Sequence, residues 1–262
     1  MSNFKSFATY YDLLYQDKDY SFEAEYISKL LEKYAPNAKN ILNMGCGSGA
    51  HDFELAKKNY AIDGIDLSEN MIARAEKKRM NSPLKNQLTF STGDIRHFAN
   101  EKKYDAVISL FHVFSYLTSN EDLLLAAQAA NKALDEEGIL IFDCWFGPTI
   151  LTEKPSIKIK RIQEKEIEMT RIAEPSMDFN TNTVRVDYTI FAKENGVAQN
   201  PITESHLLRY WFTPELEYIL KQAGFKMLDY FAWMTEQKPD TNSWGAVFIL
   251  KKNHPEKNKM KR

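Results

Sequence analysis

The sequence predicts an α/β fold in which a doubly wound, mostly parallel seven-stranded sheet carries an antiparallel β insertion. Three observations point there. Short apolar runs alternate with stretches of helical periodicity through residue 150, a glycine-rich turn joins the first run to a helix, and the texture changes after Pro148. Strands separated by helices of this length need crossover connections, hence a mostly parallel sheet covered on both faces.

Residues 22–34 place Phe22, Tyr26, Ile27, Leu30, Leu31 and Tyr34 at helical spacing, and Pro36 stops them. Residues 41–44 form the first strand and 51–58 return to helical character. Further strands are read at 61–66, 88–91, 104–110 and 139–143. Ser68 caps a helix whose buried side is Met71, Ile72 and Ala75, and Ser119 with Asp122 opens another over 120–134. Beyond Pro148 the stretches 157–173, 180–193 and 203–212 are rich in Ile, Val, Thr and aromatics. Val184, Val186, Tyr188 and Ile190 alternate there with Arg185, Asp187 and Thr189, the period of a strand with one wet face. Asn195-Gly196 and Asn200-Pro201 supply turns. Thr213-Pro214 starts a helix ending at Gly224, and strands at 225–233 and 244–251 complete the sheet. The expected division is an N-terminal helical cap (1–36), a core (37–150 and 213–252), an inserted antiparallel sheet serving as lid or dimer surface (151–212), and a solvated basic tail (253–262).

Of 262 residues, 44% are hydrophobic and 27% charged, the balance of a soluble globular protein. Lys and Arg number 34 against 36 Asp and Glu, so no overall basic field draws the chain to nucleic acid or an acidic membrane. No apolar run approaches the ~18 residues of a membrane span. Without an export signal or a disulfide framework, a cytoplasmic setting is expected. Neither Cys46 nor Cys144 has metal-ligand spacing, and His97 and His254 join no cluster, so no metal is expected.

The strongest local signal is Ile41-Leu42-Asn43-Met44-Gly45-Cys46-Gly47-Ser48-Gly49. Glycines at alternate positions let a ligand approach the backbone and let the chain turn sharply. The helix behind them offers unpaired N–H donors and partial positive charge. Asp66 ends the next strand 21 residues after Gly45, at the switch point where a carboxylate can accept both hydroxyls of a ribose. Asp94, in Thr92-Gly93-Asp94-Ile95, follows the third strand on the same edge and is placed to accept from an adenine amino group. Three readings are open: a purely structural turn, a nicotinamide-dinucleotide loop, or a site for an adenosine without pyrophosphate. The dinucleotide loop spaces its glycines G-x-G-x-x-G, whereas here the third arrives one residue early and a second acid follows strand three. That favours S-adenosylmethionine.

Residues 43–49, 66–71 and 92–95 resemble the successive cofactor motifs of the class I, Rossmann-like S-adenosylmethionine-dependent methyltransferases. Leu208, Thr213-Pro214-Glu215-Leu216 and Ala223-Gly224-Phe225 are similar to what these enzymes carry before their last strands. More narrowly, Tyr10-Tyr11-Asp12-Leu13-Leu14-Tyr15, Asp19-Tyr20 and Cys46-Gly47-Ser48-Gly49-Ala50-His51 resemble nucleotide-linked amino-sugar N-methyltransferases and glycine/sarcosine N-methyltransferase relatives. The resemblance implies that Tyr15 meets the methionyl carboxylate and that backbone at Gly45 and Gly47, with Cys46 and Gly49 in the same loop, holds the amino-acid part. It further implies that Asp66, with Leu67 and Met71, takes the ribose side and that Asp94, Ile95 and Leu110 surround the adenine. Asn43 stands where the family places an acid, so weaker cofactor binding is expected.

Methyl transfer from a sulfonium is an in-line displacement, and positioning alone can supply roughly 7–11 kcal/mol. An amine acceptor must lose its proton first. His112, just beyond strand four, is the candidate base, or else only a hydrogen-bonding partner. Tyr11, Phe111, Tyr116 and the stretch Asp143-Cys144-Trp145 are acceptor-pocket candidates, Trp145 equally as packing. Tyr10, Tyr11 and Tyr15 either anchor the first helix or form a lid whose rings attract the sulfonium. Arg209 would meet a phosphate or be solvated. Cys46 could carry an acidic thiol or serve by being small, and His51 packs beside the glycine loop. The expected activity is N-methylation of a small amine, a nucleotide-linked amino sugar first, releasing S-adenosylhomocysteine. The alternatives are O-methylation of a small metabolite and a binding protein without catalysis. The inserted sheet offers a homodimer surface.

Overall fold

Apolar runs bounded by glycine, proline and polar breakers become the central strands of a computed structural model that describes residues 8–253. The expectation for a solvated tail concerns residues 254–262 almost wholly and lies outside the described residues, as do residues 1–7 of the helical cap. In chain order the first half holds α1 (Ala8–Leu14), α2 (Tyr20–Tyr34), β1 (Asn40–Met44), α3 (Ala50–Ala56), β2 (Ala61–Asp66), α4 (Glu69–Met80), β3 (Leu88–Thr92), β4 (Tyr104–Ser109), α5 (Asn120–Ala133), β5 (Leu134–Trp145) and α6 (Gly147–Thr152). The insertion follows with β6 (Lys158–Glu164), β7 (Ile167–Asp178), β8 (Thr183–Glu194), β9 (Val197–Ala198) and β10 (Ile202–Arg209). Then α7 (Thr213–Gln222), β11 (Phe225–Ala232) and β12 (Gly245–Lys252) finish the core.

The seven-stranded sheet has the order β11-β12-β5-β4-β1-β2-β3. Pairings among β1 to β5 are parallel, and β12 runs antiparallel to both its neighbours. Helices cover both faces, so Ile41, Leu42, Val107, Ile108, Leu140 and Ile141 are wholly buried and read as unbroken apolar runs. The caps inferred from sequence form: Ser68 accepts from Met71 N and Ser119 from Asp122 N.

Three local expectations are corrected. β5 begins at Leu134, straight out of α5, because Tyr104 already pairs with Leu134 before the register shifts to Ala106 and Ile139. The stretch 157–173 is not one strand: it folds at Lys165-Glu166 into the antiparallel pair β6 and β7, Lys165 taking φ 52°. Neither residue is a marked turn former, which hid the break. By contrast Asn195-Gly196, at φ 51° and 77°, makes the tight turn between β8 and β9 that its composition announces. The third is α6, which follows β5 where no helix is expected, Pro148 occupying its first turn.

The insertion forms a second, antiparallel sheet with β10-β8-β7-β6 side by side. Alternation gives it one apolar face. Ile162, Met169, Ile190 and Ala192 pack around Tyr10 and Leu14 of α1, while Ala173, Val184, Val186 and Leu208 pack around Ile150 and Tyr210. Each buried Ile, Leu, Val or Met among them contributes about 1.5–3 kcal/mol. That apolar face covers the carboxyl edge of the parallel sheet.

Candidate active site

The loop after β1 is fixed from behind: the N–H groups of Gly45 and Cys46 both donate to Ile65 O, at 2.8 and 2.9 Å. Gly47, at φ 56°, would present a Cβ to open space, so its bare backbone faces the cleft. Gly49, at φ 80°, has a different reason, since a Cβ there would lie 2.8 Å from Phe90 Cζ. At the end of β2 one Asp66 oxygen accepts from Gly47 N and the other from Ser68 N, each at 2.8 Å. Burial pushes the Asp66 pKa up and these two amides oppose the shift. The carboxylate is held on the ligand side with lone pairs to spare, as a ribose diol requires.

These elements open onto a cleft of about 940 Å³, near the upper end of the roughly 300–1,000 Å³ usual for small-molecule sites. Of the residues expected around the cofactor, Tyr15, Gly45, Cys46, Gly47, Asp66, Leu67, Met71, Asp94, Ile95 and Leu110 line it. So do Tyr11, Phe111, His112, Tyr116 and Trp145 from the expected acceptor side. Asn43, Gly49 and Arg209 do not.

Asn43 is buried at the end of β1, and its Nδ2 donates to both oxygens of Asp52, at 3.0 and 3.1 Å. Its Oδ1 has no partner. Asp52, wholly buried on α3, is pushed up to about 7 by that burial. An acid therefore does stand beside the position where the strand lacks one, delivered by the following helix. Arg209 is neither solvated nor at the cleft. It ion-pairs with Glu215, donates to Thr118 O at 3.2 Å and stacks 4.0 Å from the Trp211 ring centre, because α7 brings Glu215 back against β10. The thiol of Cys46 is not acidic: burial, then Asp52 and Asp66, pushes it well above the ordinary value. Smallness is its use, since a Cβ on Gly64 would already lie 2.9 Å from Cys46 Sγ. Tyr10 anchors α1, donating to Glu194 at 2.8 Å.

Asp94 is clamped. Arg96 Nε lies 3.0 and 3.1 Å from its two oxygens and Nη2 lies 2.6 Å from one, which holds its carboxyl below the usual range. The same guanidinium reaches Asp122 at 2.7 Å, tying the rim of the cleft to α5. His51 lines the opposite end, 2.7 Å from Glu23, with Tyr20 edge-on.

After β4 the chain turns through Phe111 and His112, both left-handed at φ 67° and 63°. Such conformations cost about 1–3 kcal/mol each in non-glycine residues and persist only where surroundings enforce them. Asp143, fully buried at the end of β5, does so: His112 N donates to its oxygens at 3.1 and 3.2 Å, and His112 Nδ1 lies 2.7 Å from Oδ2. The carboxylate beside Nδ1 fixes the orientation of the ring, with Nε2 as its other nitrogen. The imidazole sits on the floor of the cleft beside Trp145, ring centres 6.4 Å apart. Asp143, expected with Cys144 and Trp145 to line the acceptor pocket, is fully buried and instead holds the His112 ring and backbone, a pairing the sequence reading did not foresee.

The roof comes from the insertion. Tyr116 OH and His206 Nδ1 are 2.7 Å apart, Tyr188 lies edge-on to His206, and Arg171 lines the cleft beside Tyr188 and Tyr15. Sequence reasoning missed Arg171 and Tyr188. A signal was present for the first: a cation on the inner face of β7 between buried Met169 and Ala173.

Residues 41–138 match a family model described as a methyltransferase domain. The chain is 27% identical over 223 residues to dTDP-3-amino-3,4,6-trideoxy-alpha-D-glucopyranose N,N-dimethyltransferase of Streptomyces venezuelae, covering 84% of this chain and 90% of that protein. In fold it is similar to an S-adenosylmethionine-dependent methyltransferase from Clostridium acetobutylicum, with a TM-score of 0.79 and 20% identity over 94% of this chain and 97% of that one. It is also similar to an S-adenosylmethionine-bound amino pentose methyltransferase from Micromonospora echinaspora, with a TM-score of 0.75 and 21% identity over 93% and 96% of the two chains.

Proposed function

Because its methyltransferase domain at residues 41–138 places this chain among the S-adenosylmethionine-dependent methyltransferases, we propose that it methylates the amine of a nucleotide-linked amino sugar in the cytoplasm. The cofactor supplies a methyl group on a sulfonium, which needs no acid to leave. The open backbone at Gly47 and the two-amide grip on Asp66 fit an adenosyl ligand.

The reading of the acceptor as an amine rests on the similarity to the Streptomyces venezuelae N,N-dimethyltransferase, and the His112–Asp143 pair supplies the base that such an acceptor needs. An ammonium has no lone pair, so the acceptor nitrogen must first be freed of a proton. His112 takes that proton while Asp143 holds the imidazole in place. Phe111, Trp145 and the Tyr15 ring wall the chamber and keep water out. The similarity to the Streptomyces venezuelae enzyme supplies the nucleotide-linked amino sugar as the substrate class. Among the described residues no helix is long and apolar enough to cross a membrane.

The test is a turnover assay with purified protein, S-adenosylmethionine, dTDP-linked amino sugars and their hydroxyl counterparts. Release of S-adenosylhomocysteine with the amines alone is expected. Release driven by the hydroxyl compounds, or none with any acceptor, would overturn the reading.

A further inference from the structure

A half-buried guanidinium with its Nε shut off from water and no anion opposite it is unusual in a folded protein, because water lost from the charge must be replaced by something. Arg171 is such a group. It stands on the inner face of β7 between buried Met169 and Ala173 and lines the cleft, and its Nε is buried without a hydrogen-bond partner. Its neighbours are neutral: the Tyr15 hydroxyl, to which it hydrogen-bonds, and the Tyr188 ring, with the guanidinium carbon 5.4 Å from the centroid. Arg74, Arg79, Arg96 and Arg209 each reach a carboxylate within 4 Å, whereas no ion pair of the described residues includes Arg171. Asp17 feels its charge, but that side chain is exposed and bound to Lys160 at 2.7 Å.

A planar fork with a free Nε edge suits a two-oxygen anion arriving through the cleft. We propose that Arg171 binds a phosphoryl group of the acceptor, so that the inserted sheet selects sugars joined to a nucleoside diphosphate over free amino sugars. This deepens the substrate reading above and rests on it. The position agrees with the acceptor side: Arg171 lines the same cleft as His112, on the inserted sheet with Tyr188 and His206. The other source of an oxyanion is the carboxylate of the cofactor, which Tyr15 is expected to reach.

Calorimetry separates the two. Wild type and Arg171→Gln, each saturated with S-adenosylhomocysteine, are titrated with dTDP and with inorganic pyrophosphate. Each unliganded protein is titrated with S-adenosylhomocysteine and with 5′-deoxy-5′-methylthioadenosine, which lacks the carboxylate. The proposal expects Arg171→Gln to weaken dTDP by tenfold or more, about 1.4 kcal/mol, with both adenosyl ligands unchanged. Arg171→Lys should recover part of the loss, keeping the charge without the fork. Unaltered adenosyl affinity also shows that the variant is folded. Equal dTDP affinity in wild type and Arg171→Gln overturns the proposal. So does a selective loss of S-adenosylhomocysteine over methylthioadenosine, which would assign the guanidinium to the cofactor. Pyrophosphate binding that depends on Arg171, in a protein that methylates no nucleotide-linked amine, would keep the phosphoryl site and refute the substrate reading.

Discussion

His112 is held by a carboxylate that touches both its backbone and its ring, so base and orientation are separable by mutation. His112→Asn should lower kcat by about 10²–10⁴-fold, the usual worth of a positioned base, with S-adenosylhomocysteine affinity unchanged. Parallel losses in both would make His112 structural. Asp52 gives a prediction in pH. Its folded pKa, near 7, lies above the ordinary 3.8, so between those values the native state keeps a proton that the unfolded chain has released. Stability contributed by this site therefore falls as pH rises from about 4 to about 7 and is flat above, by up to about 4 kcal/mol. Urea midpoints across that range should show the fall in wild type relative to Asp52→Asn. Superimposable profiles would mean the carboxylate is ionised in the fold. At this scale the sequence was most readable where a residue type has one use. Asp66 and Gly47 are placed as their spacing implies, because glycine and a strand-end acid tolerate few substitutes. What the spacing around Asn43 did not show is its partner Asp52, which comes from α3, nine residues along the chain. Arg209 misled, since its partner Glu215 lies on the next element and alternation along β10 shows nothing of it.

Among the elements, α1 joins two bodies of structure. Asp12 accepts from Ser48 at 2.9 Å in the glycine loop and pairs with Arg74 and Lys78 on α4, both at 3.1 Å. From the other side Tyr10 reaches Glu194 and Lys160 donates to Leu14 O at 2.6 Å. The Asp12 contacts are partly exposed, and such pairs are worth about 0–1 kcal/mol in stability. Asp12→Ala should therefore leave the melting temperature nearly unchanged while speeding dissociation of S-adenosylhomocysteine, read by stopped-flow. An unaltered off-rate would show that the helix plays no part in retaining the ligand. The core elements were legible because apolar runs of strand length, crossover helices and caps agree with one another from β1 to β5 and again from α7 to β12. Where a turn lacks its customary residues, as at Lys165-Glu166, β-branched residues on both sides conceal it.

In the molecule as a whole, the parallel sheet forms the floor of the cleft and the insertion its roof, the two meeting at Tyr15, Arg171 and Tyr188. The sheet announces itself in sequence because its chemistry sits in one contiguous loop and two strand ends. The roof does not, since which strand covers which loop is decided by long-range packing around Tyr10, Leu14 and Tyr210. The Tyr15 hydroxyl spans the seam, hydrogen-bonded to Arg171 while expected to serve the cofactor. A methyl donor that claims it strips the guanidinium of its neutral companion and readies it for the acceptor. Compulsory ordering follows, the methyl donor entering ahead of the amine. Initial-rate patterns should show S-adenosylhomocysteine competing with the donor alone, and Tyr15→Phe should loosen the ordering toward random addition.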